Sequence, residues 1–186
     1  MSQKTVCNSL FHPFSQADGK TVVKSFRISE EALVALKEEA YSQTVSLNTL
    51  ANQLIFGYAN FGRHLERVGS IMLTQQALGE FINSLSEESA INAGKTLGKT
   101  SPQQLMALDG EISYARVIEL IHNLSSWANW FQYTHRTEGD HMKITLTHGM
   151  GRKWSQFITH YLNGAFEAVG NRVRSEISDR YVILTI

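Results

Sequence analysis

Val23, Ser25 and Arg27 stand at alternate positions of one run, and their side chains suit the edges of DNA bases. Arginine can donate two hydrogen bonds to guanine, serine makes an adaptable polar contact, and valine offers methyl groups to the thymine methyl. Lys4, Lys20 and Lys24 lie nearby with only Asp18 opposing them before Glu30, so Lys4, Lys20 and Lys24 are candidates for phosphate contact, with a solvated tail as the other reading for Lys4 and Lys20. A second group is imidazole. His122, His135, His141, His148 and His160 fall in the C-terminal part, with His135 and His141 flanking an expected turn where they could meet. Histidine is the commonest metal ligand, yet no His-Glu-x-x-His, paired cysteines or fixed carboxylate accompanies these residues. The expectation is no metal, no cofactor and no catalytic residue, with a histidine-based metal sensor kept as an alternative. Gly94-Lys95-Thr96 lacks phosphate-loop spacing and follows a helix pattern rather than a strand. Residues 149–153 are basic and glycine-containing at a helix start, where an ordinary helix beginning outweighs an anion site.

The elements that must position Val23, Ser25 and Arg27 occupy residues 20–61. Residues 21–28 are β-branched and apolar, ending in alternation of Phe26 and Ile28 with Ser25 and Arg27, which predicts a strand. Ser29 is placed to cap a helix with Glu30 and Glu31 in its first turn, and Leu33, Leu36 and Ala40 make its apolar stripe, ending near Ser42 or Gln43. After a short linker Ser46 is the next cap, and Leu47, Leu50, Ala51, Leu54, Ile55 and Tyr58 form a second stripe. One strand and two short helices cannot bury enough apolar surface to offset their ordering entropy. Two copies could pair their strands antiparallel, giving a ribbon that displays Val23, Ser25 and Arg27 from each chain and fits the major groove.

This order, an alternating strand, Ile28-Ser29-Glu30-Glu31 entering one helix and Val45-Ser46-Leu47-Asn48-Thr49-Leu50 entering the next, resembles the ribbon-helix-helix family of the Arc and methionine repressors. The resemblance implies an intertwined homodimer, base contacts from Val23, Ser25 and Arg27, and a phosphate-anchoring helix start at Ser46, Leu47 and Asn48. Three positions depart from the family pattern: Ser29 where proline is frequent, Thr44 where glycine is frequent, and Lys24 where an apolar residue is usual. Ser29 serves as a cap, Thr44 reads as a small change in turn chemistry, and Lys24 would keep its register by packing its stem and extending its head to water.

The chain has 186 residues with formal net charge zero, 42% hydrophobic and 18% charged, which is globular rather than disordered. One cysteine, Cys7, rules out an intramolecular disulfide framework and suits a reducing compartment. Neither a membrane-length apolar run nor a signal-peptide core occurs, so the expected compartment is the cytoplasm. Residues 1–19, including Leu10, Phe11, His12-Pro13 and Phe14, have no period and read as a flexible arm.

Residues 62–186 read as an α+β domain for effector sensing or oligomerisation. Helices are expected from Thr74 to Leu85, after Ser86, after Ser101-Pro102 through Leu108, and after Ser113, with Gly94 and Gly98 weakening and ending the second. Trp130 to Thr134 and Lys143 to Thr147 form a hairpin around Glu138-Gly139-Asp140. Residues 153–169 have the helical spacing of Trp154, Phe157, Ile158, Tyr161, Leu162, Ala165, Phe166 and Val169, with Gly170 as the stop, and residues 181–186 make a strand that joins the hairpin. The aromatics Trp127, Trp130, Phe131, Tyr133, Trp154 and Phe157 read as core in preference to a ligand pocket. The order hairpin, Gly151-x-x-Trp154-x-x-Phe157 into a long helix, then strand also resembles small-molecule sensor domains of the 4-vinyl-reductase type. Metal-binding members of that group use cysteines, absent from this region, so no cofactor is implied. The expected molecule is a non-enzymatic, homodimeric transcriptional regulator, able to pair into tetramers and to take an effector, with double-stranded DNA as partner. An antitoxin-like or assembly protein is the alternative.

Overall fold

The fold is described by a computed structural model covering residues 22–107 and 111–186. The arm at residues 1–19 and Lys20 lie outside the described residues, as does Leu108, the expected end of one helix. The chain divides into two compact units between Arg63 and His64.

In the first unit, residues 22–29 have no regular secondary structure in the single chain, and the expected strand has no ladder partner among the described residues. Helix α1 (Glu30–Ser42) begins where Ser29 accepts from the Ala32 amide at 3.2 Å, with Glu30 and Glu31 at the positive end of the dipole. Helix α2 (Leu47–Gly57) begins at Ser46, whose Oγ accepts from Thr49 N at 3.0 Å. The linker between them turns at Thr44, φ +57°, a left-handed conformation that costs a β-branched side chain roughly 1 to 2 kcal/mol. Thr44 is therefore a strained residue where glycine would be relaxed, more than the small change its chemistry suggested. The expected break at Phe61-Gly62 is a π-helical turn, Tyr58–Gly62, and helix α3 (Arg63–Arg67) continues the chain.

The second unit is α+β. Helices α4 (Gln75–Ser84), α5 (Glu87–Gly98) and α7 (Tyr114–Ser126) start at side-chain caps Thr74, Ser86 and Ser113. Helix α6 (Ser101–Ala107) opens one residue earlier than Ser101 would dictate, since Gln104 N reaches the Thr100 carbonyl at 3.0 Å. Strands β1 (Gln132–Glu138) and β2 (His141–Thr147) form the hairpin; helix α8 (Arg152–Glu167) crosses over to β3 (Arg174–Ile177) and β4 (Tyr181–Thr185). All pairs are antiparallel in the order β1-β2-β4-β3. Strand β3 was not expected from the sequence. Residues 130 and 131 precede β1 because Asn129 turns at φ +55° and the Trp130 amide bonds to Leu124 O at 3.1 Å.

Tyr133, Ile144, Leu146, Val182 and Leu184 are buried on one face of the sheet. Helix α8 is buried on nearly every side, from Trp154 to Phe166. Gly94 and Gly98 do more than weaken α5: a Cβ on Gly94 would lie 2.5 Å from Phe157 O, and one on Gly98 2.7 Å from Tyr161 O. These glycines let α5 lie against the backbone of α8, with Gly164 facing Gly98 across the contact.

Candidate nucleic-acid interface

Val23, Lys24, Ser25 and Arg27 are exposed on the segment that leads into α1. Val22, Phe26 and Ile28 are exposed with them, Val23 at 96% and Phe26 at 72%. Water therefore meets both the residues expected to face DNA and the apolar residues expected to face a core. The start of α2 is well formed. Ser46 Oγ bonds Thr49 N and lies 2.7 Å from Thr49 Oγ1, Leu47 is half-buried and Asn48 exposed. First-turn amides of a helix have no acceptor within it, and the dipole makes that end attractive to an anion. Ser46 thus acts first as a cap, and Leu47 and Asn48 supply backbone amides at the helix start.

The helices expose apolar side chains as well. Val34 and Tyr41 of α1, Ile55 and Phe56 of α2 and Tyr58 of the π-helical turn are all exposed. Within residues 22–63 only Ala40, Leu50, Gly57 and Phe61 are buried.

The C-terminal histidines are dispersed. His135 is level with Ile144 and His141 with Glu138; three rows and opposite sheet faces separate them, so they do not meet across the turn. His122 and His135 both lie against the Tyr133 ring, at 4.1 and 5.5 Å between centroids. Burial raises the Tyr133 phenol, and the neighbouring Tyr114 adds to the effect. His160 is pushed down by burial and by Lys95. Among the described residues no three His, Cys, Asp or Glu side chains gather as a metal would need.

His148 is held in a buried polar chain. The Met150 amide approaches Nδ1 at 3.3 Å, and an amide can only donate, so Nδ1 carries the lone pair and Nε2 the proton. Nε2 therefore donates to Ser155 Oγ at 2.8 Å, and that hydroxyl donates to Ser178 O at 2.5 Å. A serine base would need the opposite proton order. The chain instead ties the β2 exit, the first turn of α8 and the β3–β4 turn, and burial lowers His148 to about 4.

The basic helix start of residues 149–153 is likewise committed within the fold. Lys153 Nζ donates to Asn83 O at 2.8 Å and Leu85 O at 2.5 Å, closing the C-terminus of α4. Arg152 stands 3.9 Å from Asp179. The sequence held no sign of the Lys153 contact, whose partners lie far back in the chain.

The aromatics pack on one another. Trp130 lies 5.3 Å from Trp154, 5.9 Å from Phe157 and 5.1 Å from Tyr161, and Trp154 donates from Nε1 to Trp130 O at 3.2 Å. Among the described residues no helix is long and apolar enough to cross a membrane. No protein-family model, no curated protein and no solved structure matches this chain.

Proposed function

We propose that the chain is a homodimeric, sequence-specific DNA-binding regulator that reads the major groove with a two-stranded ribbon built from residues 22–28 of two copies. The observation that carries the reading is the exposure of Val22, Val23, Phe26 and Ile28 immediately before a capped pair of helices that also leaves Val34, Ile55 and Phe56 in water. Pairing the two segments would give their backbones ladder partners, and one face of the ribbon would bury Phe26 and Ile28. At about 1.5 to 3 kcal/mol for each large apolar side chain, as an upper bound, that burial would offset part of the entropy lost in ordering the two segments, with the ladder bonds and the exposed helix faces supplying the rest. The other face would carry Val23, Ser25 and Arg27.

The resemblance to the ribbon-helix-helix family gains support from Thr44, whose left-handed φ of +57° is the conformation that the family's frequent glycine supplies without strain. Arg27 would read guanine, Ser25 would make a polar contact, and Val23 would meet a thymine methyl. Lys24 and the Ser46–Leu47–Asn48 helix start would hold phosphate, joined by Lys20 from the residues outside the described structure. The C-terminal α+β unit would serve effector sensing or further assembly.

The test is fluorescence anisotropy with duplex from the protein's own upstream region and with a scrambled duplex, across a salt series. Arg27→Ala should cost about 1 to 3 kcal/mol on the cognate duplex and less on the scrambled one. Equal losses on both reject base reading by Arg27, and absence of binding to a screened pool of duplexes rejects the function.

A further inference from the structure

Residues 68–79 contain no charged side chain, and within them the link from α3 to α4 exposes consecutive apolar residues: Ile71 at 81%, Met72 at 100% and Leu73 at 58%. Val68 is exposed just before them. The exposure continues on the helix. Leu73 precedes the Thr74 cap outside the helix, and Ala77 and Phe81, four residues apart, share one side of α4. Ala77 and Phe81 are both exposed. The buried side of this helix is a different one, carried by Gly79 and Ile82. Residues 71–73 have no regular secondary structure.

At roughly 150 to 200 Å² for a large apolar residue in the open, Val68, Ile71, Met72, Leu73 and Phe81 present on the order of 600 Å² per chain. Two such surfaces facing each other would bury about 1,200 Å², the lower end of specific interfaces. The surface on one chain is at the upper end of the largest apolar patch a typical monomer exposes, the range in which such patches are often functional.

We infer that this stripe, residues 68–73 with Ala77 and Phe81, is a second contact between two copies of the chain. The inference rests on the ribbon dimer proposed above, which identifies the occupant. Fewer than about ten residues, at most roughly 30 Å of extended chain, separate the end of the first unit from Ile71. A dimer joined through residues 22–28 therefore keeps its two stripes tethered at an effective concentration in the millimolar range, so that modest apolar contacts close. The lack of charge over residues 68–79 matches the stripe to an equally uncharged surface, which a second copy supplies, and disfavours nucleic acid or an acidic partner. The contact would hold the C-terminal units of the two copies together.

The experiment uses the full chain in a Cys7→Ser background. Met72→Cys is treated with a short bismaleimide at low micromolar protein, beside Glu167→Cys, an exposed position outside the stripe. Sedimentation equilibrium then compares Met72→Glu and Phe26→Glu with the parent protein. Expected are a covalent dimer from Met72→Cys and not from Glu167→Cys, and a dimer dissociation constant raised about tenfold or more by Met72→Glu. A dimer that persists while Met72→Cys fails to cross-link and Met72→Glu dissociates no more readily than the parent overturns the stripe contact and leaves the ribbon standing. Phe26→Glu should also weaken the dimer. If it does not, while Met72→Glu does, the ribbon reading fails and the stripe is itself the dimer contact. A parent chain that sediments as a monomer throughout the micromolar range overturns both.

Discussion

Replacing His148 should change how stability depends on pH. In the folded chain burial lowers this imidazole from its ordinary 6.5 to about 4. The Met150 amide aimed at Nδ1 would oppose a proton placed there. Between pH 6.5 and 4 the unfolded chain therefore binds a proton at this side chain that the folded chain refuses, and stability rises with pH in that window. The contribution is fully present above pH 6.5 and is lost as pH falls to about 4. Its upper bound is roughly 3.5 kcal/mol, since each tenfold change in proton affinity between the two states is worth about 1.4 kcal/mol, and water reaching the ring would screen part of it. The assay is urea unfolding at half-unit steps from pH 4 to 8, followed by tryptophan fluorescence. Trp127, Trp130 and Trp154 all lie in the second unit, so the signal isolates the unit that holds His148. His148→Gln should start less stable at pH 7.5 by about 1 to 2 kcal/mol for the broken buried hydrogen bonds, and should then lose less on acidification, so that the two curves converge towards pH 4. The lowered His160 imidazole and Glu138 carboxyl titrate in both proteins and cancel in the comparison. Parallel curves for wild type and variant would refute the burial of a neutral His148.

Thr44→Gly should stabilise the helix pair by a few tenths to about 1 kcal/mol, the relief of left-handed strain offset in part by the greater freedom of glycine when unfolded; thermal circular dichroism at fixed protein concentration reads it, and a lowered melting temperature contradicts a positive φ at that position. Gly98→Ala should cost about 1 to 3 kcal/mol because its Cβ meets the Tyr161 and His160 backbone oxygens at 2.7 and 2.8 Å. Gly149→Ala, with nothing within 4 Å of its Cβ, should change stability by less than about 0.5 kcal/mol, and equal urea midpoints for the two variants would contradict the close α5–α8 approach. Lys153→Met should cost about 1 kcal/mol and speed amide hydrogen exchange in α4, since the ammonium no longer holds the Asn83 and Leu85 carbonyls; unchanged exchange there would remove the capping role.

The helix starts were legible because capping acts over three residues of chain. Ser29, Ser46, Thr74, Ser86 and Ser113 each accept from the amide three positions on, and a serine or threonine ahead of an apolar period announces that arrangement in one dimension. The hairpin turn at Gly139 and the long buried α8 were visible for the same reason, the first from turn chemistry and the second from spacing that repeats over the whole helix. The alternation of Val23, Ser25 and Arg27 is read from the sequence alone, because in the single chain their neighbours Lys24, Phe26 and Ile28 are exposed as well and no burial sorts the segment into two faces.

Tertiary structure alone decided what distant residues do to one another. Gly94 and Gly98 look like helix breakers until α8 is brought against them, and a glycine's value at a close approach depends on a backbone more than sixty residues away. Lys153 looks like a free cation until the end of α4 reaches it, and His148 is one histidine among several until Ser155 and Ser178 surround it. Strand β3 has Ile177 as its one large apolar residue and exists because β4 offers it a ladder at Arg174↔Thr185 through Ile177↔Val182. The sequence by itself thus determined the elements whose hydrogen bonds close within a few residues. The assignments made by burial and by long-range pairing waited for the fold, because desolvation, close approach and ladder bonding are properties of neighbours in space.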